Sequence, residues 1–286
     1  QPHGRAGQHA GQGPAALPLH AQRPGAAAQA GEPFLLCGSR FWCGWCGRHH
    51  IAVAPPRIDR IVNAADFSQN TAPGSLISLI GANLSPVSQA SSTTPLPTAL
   101  GESCLTVNGV PVPMLFASGE QINAQMPYQV DGNVTLILRT PGGVSDNFNL
   151  TILPAAPSIF RSGASGPETQ LPAVVRARNN ELVTVSNPIH RDDVISIYLT
   201  GMGNTSPAVQ AGFPGGSDPI ATPLIAPTVR VGGVGAAIEF AGLAPGQVGV
   251  YQINARIPKN APIGFDIPLS VAQGAQATSV SVRVVE

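Results

Sequence analysis

Charge is the first thing this sequence lacks. Asp, Glu, Lys and Arg make up only 10% of its 286 residues, and fifteen of each sign cancel. With no basic block there is no electrostatic footprint for a phosphate backbone, which excludes nucleic-acid binding. A charged membrane surface or an acidic partner lacks support for the same reason. Lys259 is the only lysine beside fourteen arginines, a bias that fits GC-rich coding and carries no functional reading. Long apolar runs are missing too, none nearing the roughly 18 residues of a membrane-crossing helix, so no membrane insertion is expected. After residue 50 there is no tryptophan, one histidine (His190) and one cysteine (Cys104). A Ser-His-acid triad therefore has a single histidine to draw on, and no Gly-x-Ser-x-Gly elbow accompanies it. The chain is expected not to be an enzyme and to need no cofactor.

Residues 1–50 are a different kind of sequence. Up to Pro33 they are Gly, Ala, Gln, Pro, His and Arg with almost no β-branched residues, a composition without the apolar periodicity that burial requires. The stretch is expected to be a disordered leader or an out-of-frame translation of GC-rich DNA. A start at Gln1 rather than Met is expected of a fragment or a processed form. Cys43-Gly-Trp-Cys46 has thioredoxin-like spacing, and with Cys37, His49 and His50 it offers zinc-ligand types. Neither a strand-helix context nor a distant second ligand pair accompanies them, so no metal or redox role is assigned.

What is present is a repeat. Gln121-Ile-Asn-Ala-Gln-Met-Pro127 recurs as Gln252-Ile-Asn-Ala-Arg-Ile-Pro258, with five of seven positions identical at a spacing of 131. Neighbouring segments follow in the same order. Leu76–Ile80 matches Val194–Tyr198, and Ser85-Pro86 matches Ser206-Pro207. Val107–Val110 with Phe116-Ala117 matches Val231–Val234 with Phe240-Ala241. The second copy inserts seven residues around Ala244-Pro245-Gly246. Ile122, Ala124 and Met126 alternate with Gln121, Asn123 and Gln125, which is the period of a half-buried strand. Val280, Val282 and Val284 alternate likewise, and Asn108-Gly109 and Asn179-Asn180 are placed for tight turns. Short strands every 8–12 residues, no helical periodicity, 32 glycines and 29 prolines predict an all-β chain. Its expected organisation is two tandem immunoglobulin-like β-sandwiches, 51–156 and 157–286, after the leader.

Ile61–Ala65, Ala72–Ser75, Pro95–Pro97, Val107–Pro111, Gln121–Asn123 and Ala156–Phe160 resemble an uncharacterised C-terminal domain of large secreted acidobacterial (Solibacter-type) proteins. In the second copy Ile197–Gly203, Phe240–Gly246 and Tyr251–Asn254 fit the same pattern. The resemblance spans about residues 57–286, and each half is also similar to IPT/TIG immunoglobulin-like modules. It implies an extracellular sandwich at the end of a longer polypeptide and brings no catalytic residues. Leu199 departs from it by standing where that family usually has glycine, which is expected to stiffen a turn.

The candidate sites are few. Asn123 and Asn254 recur, so each is expected to hydrogen-bond a neighbouring loop backbone within its own module; a ligand contact is the sharper alternative. Tyr251 is the first candidate for a sugar contact, since sugar platforms present aromatic faces. Asp131-Gly-Asn133 reads as a turn and His190–Asp193 as a solvated loop, neither with the alternating acids of a calcium loop. Cys104 is expected to be a small buried hydrophobe. Asn83, Asn133, Asn149 and Asn204 stand in glycosylation-type triplets, about as many as chance supplies. The function expected is a non-catalytic extracellular module for structure, adhesion or display. Its partners would be other domains of the same polypeptide, surface glycans or like copies. The alternative is a carbohydrate-binding accessory of a secreted polysaccharide-degrading enzyme.

Overall fold

The computed structural model describes residues 54–161 and 171–286. The expectations for residues 1–50, including the cysteine and histidine cluster, lie outside the described residues. Among those described, every regular element is a strand, turn or bend. None of them forms a helix long and apolar enough to cross a membrane.

The first sandwich is built from β1 (Arg57–Asn63), β2 (Leu76–Ala82), β3 (Gln89–Ala90), β4 (Cys104–Val107), β5 (Val110–Pro111), β6 (Met114–Ala117), β7 (Gln121–Gln125), β8 (Gly132–Thr140), β9 (Gly143–Val144) and β10 (Phe148–Ile152). One sheet runs β1-β2-β7-β6-β3 and the other β10-β8-β4-β5. Four strands in the order first, second, fifth, fourth, facing a sheet of the third, sixth and seventh, is the immunoglobulin arrangement. The alternation read from the sequence sets the faces. Ile77, Leu79, Ile122 and Ala124 from one sheet meet Leu105, Val107, Leu136 and Leu138 from the other in a single buried cluster. Asn108 and Gly109 have φ of 48° and 82° and close the β4–β5 hairpin in the left-handed conformation that a two-residue turn demands.

The second sandwich contains β11 (Ser158–Ile159), β12 (Val174–Arg176), β13 (Glu181–Leu182), β14 (Ile189–His190), β15 (Val194–Thr200), β16 (Thr205–Ser206), β17 (Thr222–Pro223), β18 (Thr228–Val231), β19 (Val234–Leu243), β20 (Tyr251–Arg256), β21 (Gly264–Gln273) and β22 (Gln276–Val285). Its core is a separate cluster that includes Ile195, Ile197, Ile253, Val280, Val282 and Val284. Here β19 serves both sheets, pairing with β18 through Val234–Ala236 and with β20 from Ala237 onward. In the first copy the equivalent stretch is broken into β5 and β6 at Val112-Pro113, because proline has no N–H to give a ladder.

Three expectations are corrected. Leu199 lies inside β15, fully buried in the core, and does not stiffen a turn; the positive φ values fall beyond it, at Gly201 and Gly203. Cys104 is half-buried and disulfide-bonded, so it is not a small apolar filler. Asp193 is not a solvating loop charge. It forms a largely buried ion pair with Arg176 at 2.7 Å and accepts the His190 N–H at 2.8 Å.

Because Leu199 fills the core, replacing it with glycine should be costly. Leu199→Gly is expected to lower stability by roughly 3–5 kcal/mol, from lost burial, a residual cavity and added backbone freedom. Chemical denaturation measures this, and an unchanged midpoint would remove Leu199 from the core.

Candidate functional site

The recurring asparagines sit at the same place in each sandwich. Asn123 in β7 lies opposite Ser78 of β2, and Asn254 in β20 lies opposite Ser196 of β15. Asn123 Oδ1 accepts from Ser78 Oγ at 2.9 Å and from Gln121 Nε2 at 2.7 Å. Asn254 Oδ1 accepts from Ser196 Oγ at 2.9 Å and from Gln252 Nε2 at 2.8 Å. The partners are thus side chains on the same sheet face, and the expected bonds to loop backbone are not the ones formed. On their other side both asparagines face a register shift, between Met114 and Phe116 in one copy and between Ile238 and Phe240 in the other. An extra residue in one strand loosens pairing locally, and the cross-strand bonds beside it hold the register.

Tyr251 is not a sugar platform. It is 0% exposed and its hydroxyl donates to Gly203 O at 2.8 Å, so neither ring face is open. It belongs instead to a junction between the sandwiches that the sequence reading missed. Gln125 and Tyr128 from the first sandwich, both buried, meet Thr200 and Tyr251 from the second. Gln125 Oε1 accepts from Gly212 N at 2.6 Å, while its Nε2 points to Gly74 O at 3.4 Å and to the Tyr128 hydroxyl at 3.5 Å. Thr200 Oγ1 accepts from Leu76 N at 3.0 Å and donates to Gly249 O at 2.7 Å. The ionisations of Tyr128 and Tyr251 are coupled across the contact. The connecting stretch enters this contact after the exposed Pro154: Ala155, Ala156 and Pro157 are buried, and Ala156 N donates to Gly201 O at 2.7 Å.

Local sequence explains why the surfaces fit. Gly249 lies in the stretch where the second copy is longer. A β-carbon there would stand 2.8 Å from the Leu76 side chain, and its φ is +67°. At Gly201 a β-carbon would meet Ala156 O at 2.1 Å. The signal that marks this interface is where the copies differ. Gln125 corresponds to Arg256, which is exposed and paired with Glu239 at 2.8 Å; Tyr251 corresponds to the exposed Glu120.

Among the described residues no group of three His, Cys, Asp or Glu side chains is placed to hold a metal. The described surface includes two shallow depressions. One, of about 80 Å³, lies where Asp66, Ser68 and Asn70 approach Gln276 and Thr278. The other, of about 160 Å³, lies on the outer face of β8 and β10, lined by Asn133, Thr135, Asn149 and Thr151.

Burial raises the pKa of both junction phenols. Tyr128 is pushed up to about 12 by desolvation, partly offset by the neighbouring Tyr251 and Gln125. Tyr251 is raised further, by desolvation and then by the neighbouring Tyr128. The unfolded chain then ionises first, from about pH 10. Stability contributed by the neutral pair is therefore fully present below pH 10 and is lost as pH rises toward 12. Denaturant titrations from pH 8 to 12 should show this fall, and Tyr128→Phe should flatten it. Separately, Gln125→Ala strands the buried Gly212 N–H and should cost about 1–3 kcal/mol. Calorimetry checks it: one transition in the parent should broaden or split as the sandwiches uncouple.

No protein-family model matches the chain, and no curated protein matches it. Among solved structures it is similar to a surface glycan-binding protein from Prevotella bryantii at 12% identity and TM-score 0.26, covering 80% of this chain and 42% of that one. A Bacteroides ovatus surface glycan-binding protein from a mixed-linkage glucan utilization locus, in complex with a mixed-linkage heptasaccharide, gives 11% identity and TM-score 0.34, with 82% and 47% covered. The I9–I11 tandem from titin gives 11% and 0.21, with 81% and 66% covered. The chain spans less than half the length of the two glycan-binding proteins. Its immunoglobulin-like character rests on its own strand order.

Proposed function

We propose that residues 57–286 form a non-catalytic structural module of an extracellular or cell-surface protein. In this reading it holds whatever it is attached to at a fixed orientation. The observation that carries this is the junction: a buried glutamine, a threonine and two tyrosines bridge the sandwiches, with Ala155, Ala156 and Pro157 of the connection buried beside them. A linker meant to flex would leave its backbone groups to water. Low charge and a largely neutral surface suit crowded display beside other domains of the same polypeptide or like copies. The resemblance to a C-terminal domain of large secreted proteins and to IPT/TIG modules agrees with this placement.

A carbohydrate-binding accessory role is the second reading. Tyr251 no longer supports it, since the ring is enclosed, and Asn123 and Asn254 have their carbonyl oxygens committed to neighbours. What favours it is the neutral amide and hydroxyl face over β8 and β10.

Dyes placed by amber suppression at Glu120 and Lys259 test the first reading. A single narrow distance distribution, insensitive to salt, is expected; a broad one would refute a fixed junction. An antibody against residues 57–286 should also label intact cells of the source organism, and labelling only after lysis would refute the surface placement.

A further inference from the structure

Outward positions of β8 and β10 are occupied by uncharged amides and hydroxyls. Val134, Leu136 and Leu138 take the buried positions of β8, leaving Asn133 and Thr135 outside; on β10, Asn149 and Thr151 are exposed. Antiparallel register sets Asn133 opposite Thr151 and Asn149 opposite Thr135. Thr151 Oγ1 donates to Asn133 Oδ1 at 2.8 Å, and Thr135 Oγ1 donates to Asn149 Oδ1 at 2.9 Å. Asn108, in the neighbouring β4–β5 turn, accepts from Thr135 N through its own Oδ1 at 2.8 Å and extends the row to that turn.

These bonds fix which atoms remain available. Each asparagine has its oxygen engaged, so the amide N–H groups are what it offers a ligand. Both threonines have spent their proton and keep lone pairs to accept with. Donors and acceptors therefore alternate on a surface whose spacings come from the sheet, about 4.8 Å between strands and roughly 7 Å between alternate residues. The depression lies over these four residues and has no charged side chain in its lining. An anionic ligand would require a cation there and a cationic ligand a carboxylate. A flat apolar ligand would require an aromatic ring. A polyol needs none of these, because each hydroxyl gives one hydrogen bond and accepts others.

We propose that this face is a contact site for a neutral polysaccharide chain, with Asn108, Asn133 and Asn149 donating and Thr135 and Thr151 accepting. The proposal rests on the carbohydrate-binding reading and is separable from the fixed-spacer role. Without an aromatic platform the single contact is weak, and useful retention comes from many copies displayed on one surface. Asn133-Val-Thr135 and Asn149-Leu-Thr151 are also the two adjacent glycosylation-type triplets. In the fold each triplet's threonine hydroxyl is committed to the other's asparagine, which sets the pair up as a surface array instead of as free acceptors.

Affinity electrophoresis of the whole chain tests it, in gels containing a soluble β-glucan, a mannan, a soluble starch or, as anionic control, alginate. Retardation by at least one neutral polymer is expected, falling at least tenfold in Asn133→Ala/Asn149→Ala, with Ser281→Ala on the second sandwich unchanged. The isosteric Asn133→Asp/Asn149→Asp pair removes the donors while preserving shape, and it should lose retardation as well even where the alanine pair proves unstable. No retardation in any neutral polymer, equal retardation of parent and variants, or retardation by alginate alone would overturn the proposal. So would covalent glycan on Asn133 or Asn149 in the intact mass of the native protein, because it would cover the face. None of these outcomes bears on the dye distances across the junction.

Discussion

A buried side-chain amide holds the architecture together. Gln125 belongs to a strand of the first sandwich, yet its oxygen is spent on a backbone N–H of the second, and its nitrogen faces a carbonyl and a phenol on its own side. A polar group taken out of water at an interface costs free energy unless both ends are matched. Gln125 meets that condition only while the two sandwiches keep one relative position. Thr200 imposes the same condition from the opposite side, accepting from Leu76 and donating to Gly249. Apolar contact alone would allow the surfaces to slide; paired directional bonds do not.

Much of the fold was legible because side-chain alternation and turn chemistry are local properties. Ile122 and Ile253 are buried as their period-two setting requires, and the Asn108-Gly109 turn has the backbone its residues favour. Two misreadings came from giving a motif precedence over that same alternation. Ile195, Ile197 and Leu199 alternate, which marks Leu199 for the core whatever the resemblance suggests at that position. Tyr251, Ile253 and Ala255 alternate too, which already directed the tyrosine inward.

The junction was not legible by that route, since it depends on which loop ends meet after folding. Its trace lies in the comparison of copies: positions where one repeat carries Gln125 and the other Arg256, or one Tyr251 and the other Glu120, separate an inner end from an outer one. The longer loop of the second copy is part of the same record, because it delivers Gly249 to Leu76.

That divergence bears on self-association. To add another sandwich end to end, the second module would have to offer an amide and an aromatic where Gln125 and Tyr128 stand in the first. It offers Arg256 and Lys259, ringed by Asp192 and Glu239. At the opposite pole Glu120 occupies the site of the enclosed tyrosine. Bringing such ends together would strip water from exposed ion pairs at one pole and from the Glu120 carboxylate at the other, so the interface that welds the pair is not repeated at either outer end.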